Sequence, residues 1–210
     1  EEAMEIATAE EGLVIFADGS DNPGGGAPCD GTVALRALID ADFQGAVVGC
    51  LYDPETAEQA PRAGEGAPLN VRLGGKTDDR HGTPVTTPVE VLRLSDGNFR
   101  FHGAMAQGLQ DTLGQTALLR IGGVEVVATS LRRQLIDRAM FETVGVDFTT
   151  RKLLVLKSAV HFRADLGPAA AVILDGDTPG IHRPDFRCFD YQHVRRPVFP
   201  LDEAELDVRG

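Results

Sequence analysis

Two short stretches of this sequence gather side chains that could carry chemistry. The first is Asp18-Gly19-Ser20-Asp21-Asn22-Pro23-Gly24-Gly25-Gly26, which follows the apolar run Leu13–Ala17 and precedes a helical pattern beginning at Thr32. Glycines let a backbone come close to a ligand, and a helix start offers unpaired N–H groups to a carboxylate or phosphate. Asp18, Asp21 and Asn22 add two carboxylates and an amide at the end of a buried-type strand, the edge where open α/β sheets collect ligands. No Gly-Lys-Ser/Thr closes the loop, so it is not a nucleotide P-loop. Its contiguous glycines also lack the spacing of a dinucleotide fingerprint. The alternative is purely structural, with Asp21 and Asn22 making side-chain turns ahead of a proline. On residue types alone the two readings are evenly matched.

The second stretch is Lys157-Ser158-Ala159-Val160-His161-Phe162-Arg163, after the apolar run Leu153–Leu156. It offers a compact set of donors and one group that titrates near neutrality. If the two apolar runs are parallel neighbours in one sheet, Asp21, Asn22 and His161 face a common pocket. The competing reading puts His161 in a helical turn, bonded to backbone and remote from the glycine loop. No second His or Cys stands at a metal-ligand spacing, so no metal ligands are assigned. His81, His102, His182 and His193 are scattered and receive no role. Gly74-Gly75-Lys76 is a weak further anion contact. Cys29, Cys50 and Cys188 form no CxxC pair and read as reduced thiols of a cytoplasmic protein.

The elements that must position these groups follow from hydropathy patterning. Glu1–Ala7 reads as the last turns of a helix, and Gly12–Ala17 as a strand buried on both faces. A helix follows with Val33, Leu35, Leu38 and Ile39 on one side and Asp30 or Thr32 as cap. Gly45–Leu51 is a further strand, and Asp53-Pro54-Glu55 starts a further helix. Val89–Leu94 and Phe99–His102 around Asp96-Gly97 read as one β-hairpin. Thr116–Ile121 and Val124–Thr129 around Gly122-Gly123 read as another. Gly74–Thr87 reads as an exposed loop, and Leu131–Val144 as a helix stopped by Gly145. Leu153–Leu156 and Ala169–Leu174 complete the strands, and the proline-bearing tail from Thr178 is expected to wrap the surface. The fold class is mixed α/β: a partly parallel sheet with flanking helices and two β-hairpins. One domain over 1–210 is expected.

Thirty-two acidic against 20 basic side chains give a formal net charge of −12, which disfavours nucleic acid and anionic membrane surfaces as partners. No apolar run approaches a bilayer-spanning length. The sequence opens at Glu1 inside a βα pattern, which suggests that something upstream has been removed.

Several of these motifs resemble, in the same order, the C-terminal domain of MlrC-type (microcystinase C family) zinc metallopeptidases. They are Ala17–Pro28, Leu73-Gly74-Gly75-Lys76, Ser130 with Gln134 and Asp137, Lys157–Arg163, and Arg196-Pro197 with Pro200-Leu201-Asp202. Cys29 stands where relatives are expected to carry glycine. The resemblance implies a two-domain amide hydrolase whose zinc ligands lie mainly in an N-terminal domain absent here. This chain would supply substrate-contacting residues to the cleft between domains. On that basis His161 and Asp21 are the candidate catalytic residues, with His161 a proton donor or oxyanion partner beside the zinc. Asp18, Asn22, Gly24, Gly25, Gly26, Lys157, Ser158 and Arg163 are the candidate substrate contacts. The implied partners are a peptide or amide substrate and the missing domain. A face that domain would cover could also support a homodimer. The alternatives are a stand-alone small-molecule or anion-binding domain without catalysis, and an oligomerisation module.

Overall fold

A computed structural model of the chain describes residues 1–202. Its strands are β1 (Leu13–Asp18), β2 (Ala46–Tyr52), β3 (Pro68–Leu73), β4 (Val85–Ser95), β5 (Asn98–Arg100), β6 (Gln110–Thr112), β7 (Thr116–Ile121), β8 (Val124–Thr129), β9 (Leu153–Leu156) and β10 (Ala170–Gly176). The α-helices are α1 (Glu2–Ala9), α2 (Val33–Asp40), α3 (Pro54–Ala63) and α4 (Ala139–Glu142). Eight strands form one sheet in the order β10-β1-β9-β2-β8-β7-β4-β3, and β5 and β6 pair separately. From β10 to β8 the strands run parallel; from β8 to β3 they run antiparallel. This is the expected mixed α/β class.

The side-chain alternation of β1 shows why its run of apolar residues is unbroken. Val14 packs with Leu35 and Leu38 of α2 and Ala7 of α1, while Leu13, Ile15 and Ala17 pack on the other face with Met140 and Phe141. A strand covered on both faces needs apolar residues at both parities. Asp53 accepts from Thr56 N at 3.0 Å and Pro54 takes the first helical position, so α3 starts where its sequence signals place it.

Three local expectations differ. The turn at Asp96-Gly97 does not fold β4 back on Phe99–His102. Instead β4 is flanked by β3 and β7, and β5 pairs with β6. Long-range pairing with the apolar β7 prevails over a local turn signal, and β3 carried too few apolar residues to be read beforehand. In Leu131–Val144 only Ala139–Glu142 is α-helical. Ser130 N and Leu131 N donate to Gln115 O and Leu113 O, which draws the chain away from helical bonding, although Leu135 and Met140 still reach the core. The segment after Gly74 remains irregular only as far as β4, which begins at Val85, and within it His81 is fully buried.

Candidate functional site

The loops after β1, β9, β8 and β10 meet at the C-terminal edge of the parallel strands. β1 and β9 are parallel neighbours, with Ala17 opposite Leu156, so Asp18 and Lys157 emerge side by side. Lys157 Nζ lies 2.7 Å from Asp21 Oδ2 and 3.3 Å from Asp18 Oδ2. All three are buried. Burial by itself would push the lysine pKa down, but the two carboxylates outweigh it and hold the ammonium well above its ordinary value. Thr178, just past β10, donates its hydroxyl to Asp18 Oδ1.

Asp21 also organises its own loop. Its Oδ1 accepts from Cys29 N and its Oδ2 from Gly31 N, each at 2.7 Å. A Cβ at Gly31 would lie 2.8 Å from Asp21 Oδ2, which leaves glycine as the residue that fits there. Both carboxylate oxygens are therefore engaged and turned inward. Cys29 adopts φ 65, the left-handed region that favours glycine. Its thiol is pushed well up by burial, then by Asp21.

The glycine turn is built differently from an anion cradle. Gly24 N donates to Asn22 Oδ1 at 2.9 Å, Gly25 N to Asn22 O and Gly26 N to Pro23 O. The three N–H groups are taken up inside the turn, so the glycines supply room rather than donors. Side chains from other loops use that room. A Cβ at Gly24 would meet Gln134 Oε1 at 2.2 Å, and one at Gly25 would meet the His182 ring at 1.9 Å.

His161 opens a short 3-10 turn, His161–Ala164, and its side chain is exposed. It is tied to a side chain rather than to backbone: Gln134 Nε2 lies 3.3 Å from His161 Nδ1 and 3.1 Å from Ser158 Oγ. An amide nitrogen donates, so Nδ1 accepts and the neutral ring carries its proton on Nε2, which is left free. Ser158 is fully buried. Arg163 leaves this group and pairs with Asp175 of β10 at 2.6 Å. It there lines a cavity of about 600 Å³ with Val160, Ile181, His182, Phe186 and Tyr191.

The expected residues thus divide. Asp18, Asp21, Asn22, Lys157 and Ser158 are buried and hold the loops together, while His161 and the glycine turn stand at the surface. Gln134 links the two sets. It belongs to the Ser130, Gln134 and Asp137 motif, yet nothing in its spacing marks it as the bridge. His182 and Thr178 had no local signal at all, since their partners lie about 160 residues earlier.

The Gly74-Gly75-Lys76 loop is anchored by two further carboxylates. Asp30 Oδ2 accepts from Lys76 N and Thr77 N, each at 2.9 Å, and Asp53 accepts from Gly74 N at 2.9 Å and Lys76 Nζ at 2.8 Å.

A zinc ion of the kind the resemblance implies finds no ligand set among the described residues. Among the described residues no three His, Cys, Asp or Glu side chains group so as to hold an ion. Lys157 already provides the cation that Asp18 and Asp21 require. His81, beside them, is bonded at both ring nitrogens, to Asp78 Oδ1 and to Ile181 N.

A family described as the MlrC C-terminus matches residues 16–193. Microcystinase C of Sphingomonas sp is 27% identical over 203 residues, covering 95% of this chain and 38% of that protein. A crystal structure from Mesorhizobium sp. BNC1, of a protein assigned by name to the metallopeptidases, superposes with a TM-score of 0.85 at 27% identity. It covers 97% of this chain and 41% of the other. The chain therefore spans about two fifths of the length of these relatives.

Proposed function

The chain belongs to the MlrC C-terminus family, and from that membership we propose that it is the substrate-contacting part of a zinc-dependent metallopeptidase or amide hydrolase. Its site is shared with a second domain, which holds the metal. Three fifths of each relative lies outside the matched region, which leaves length for such a domain. The observation that carries the reading is His161, exposed and held at Nδ1 by Gln134, with Nε2–H free.

In amide hydrolysis negative charge develops on the carbonyl oxygen and the departing amine needs a proton. A positioned imidazole N–H serves either demand. Of the three glycines Gly26 has open space where a side chain would stand, Gly24 and Gly25 seat Gln134 and His182, and Arg163 and Asp175 border the cavity that His182 also lines. Asp21, Asp18, Asn22, Lys157 and Ser158 act one step back, fixing the loops from which the contacts are made. The internally bonded glycine N–H groups weigh against the alternative of a stand-alone anion-binding domain.

The test is His161→Ala in the full-length protein, with turnover of a peptide library, metal content and melting temperature measured together. Turnover falls on the order of a hundredfold while metal content is unchanged. Unchanged turnover removes His161 from the reaction.

A further inference from the structure

His182, which has no sequence signal, sits on the glycine turn that Gln134, the partner of His161, also covers, and its hydrogen-bonding polarity is opposite to that of His161. The chain brings it there by close backbone approach: a Cβ at Gly180 would lie 2.5 Å from Ser20 O, and His182 N donates to Ser20 O at 3.1 Å. His182 Nδ1 lies 2.8 Å from Gly19 O. A carbonyl oxygen can only accept, so Nδ1 carries the proton and the neutral ring presents a lone pair at Nε2. The Cδ2–Nε2 edge lies over Gly25, where a Cβ would fall 1.9 Å from Cδ2 and 2.2 Å from Nε2. On the adjacent Gly24 sits Gln134, which orients His161 so that its Nε2 bears hydrogen. One glycine pair is therefore flanked by an imidazole acceptor and, through Gln134, an imidazole donor. The two rings come from loops after different strands.

We propose that His182 is a specificity-determining residue of this site, whose Nε2 accepts the N–H of a secondary amide while His161 donates to a carbonyl. A trans peptide unit displays its N–H and C=O on opposite edges, so one imidazole acceptor and one imidazole donor form a complementary pair for it. The substrate class is then peptides with an unsubstituted amide N–H at the bound unit; N-methylated amides and esters lack the hydrogen that His182 takes. This inference rests on the functional reading above and adds to it a second recognition group.

Two measurements decide it. Nitrogen-15 NMR of the imidazoles in this chain reads the tautomers directly, and His182 is expected with its proton on Nδ1. A proton on Nε2 overturns the proposal. In the full-length protein, turnover of short peptides is compared with that of the same peptides N-methylated at each amide, for wild type, H182N and H161A. The asparagine amide reproduces the Nδ1–H donor to Gly19 O but offers nothing at Nε2. Wild type is expected to favour the unsubstituted peptides by tenfold or more, and H182N to lose that preference while melting as wild type does. A preference undiminished in H182N overturns the proposal and leaves His182 a loop tether. Should H161A leave turnover unchanged, the reading of His161 fails, whereas the tautomer and the H182N ratio still decide His182.

Discussion

Lys157 and His161 lie four residues apart after the same strand, yet they occupy opposite kinds of environment. Lys157 is 1% exposed and enclosed by two carboxylates; His161 is exposed and bonded to one amide. The first group is buried and paired with both carboxylates. The second keeps a nitrogen in reserve, so it can bind but holds little. A motif that looks uniform as a string of polar residues is thus divided into a buried part and an exposed part, which on the function proposed above are framework and contact.

The sharpest way to break that comparison is to remove the lysine. Lys157→Met leaves Asp18 and Asp21 buried without a cation and is expected to lower stability by about 3–5 kcal/mol, read from urea unfolding. Removing one of the stranded charges as well, in D18N/K157M, is expected to recover part of the loss. A Lys157→Met protein as stable as wild type would show that the buried triad is not the framework.

Alkaline pH tests the same region without mutation. Burial raises the Cys50 thiol from 9.0 to about 12, and Cys29 is also raised. A raised folded-state value means that stability is fully present below the unfolded value of 9.0 and is lost as pH rises from there towards 12. Lys157, also raised, is fully stabilising below its unfolded value of 10.5 and adds to the loss above it. Each group contributes a slope of about 1.4 kcal/mol per pH unit within its own window. Urea midpoints are therefore expected to fall steadily above pH 9, and less steeply in Cys50→Ala. A flat profile would show that these groups are not held in their neutral or paired forms.

A smaller effect is expected at Cys29→Gly. Relief of the left-handed backbone, about 1 kcal/mol, is offset by loss of a small buried side chain. The net change in unfolding free energy should be under about 1 kcal/mol. The smallest belongs to the contact part: His161→Ala should alter stability by no more than about 0.5 kcal/mol, as exposed sites do. A large fall in melting temperature would mark His161 as framework and erase the contrast.

What was legible in the sequence follows the range of the interactions concerned. The buried runs of β1, β2 and β9, the Asp53-Pro54 helix start and the β7–β8 hairpin rest on neighbours in the chain, and each was readable. Cys29 at a position expected to hold glycine also corresponds to a real backbone feature, its positive φ. Pairing β5 with β6 instead of β4, and unwinding Leu131–Arg138, depend on carbonyls and strands far along the chain. So does the seat of His182, whose partner carbonyl belongs to Gly19. Gln134 was within view as part of a motif, but its bridging role exists only once Ser158 and His161 are brought to it.

The placement of β9 bears on how the molecule is made. β9 lies between β1 and β2, pairing Val14 with Leu153 on one side and Ala46 with Leu153 on the other. During synthesis β1 and β2 both precede β9, and although β2 can pair with β8 once Thr129 is made, the edges that β1 and β2 offer to β9 stay open until the chain has reached Leu156. Until then two apolar strands wait with open edges, and the closing step is insertion of a third strand into a gap. Long-range parallel pairing of this kind is slow. Nascent or truncated chains ending before Leu153 lack the strand that joins the two halves of the parallel sheet, and their exposed edges make them natural clients for chaperones and proteases.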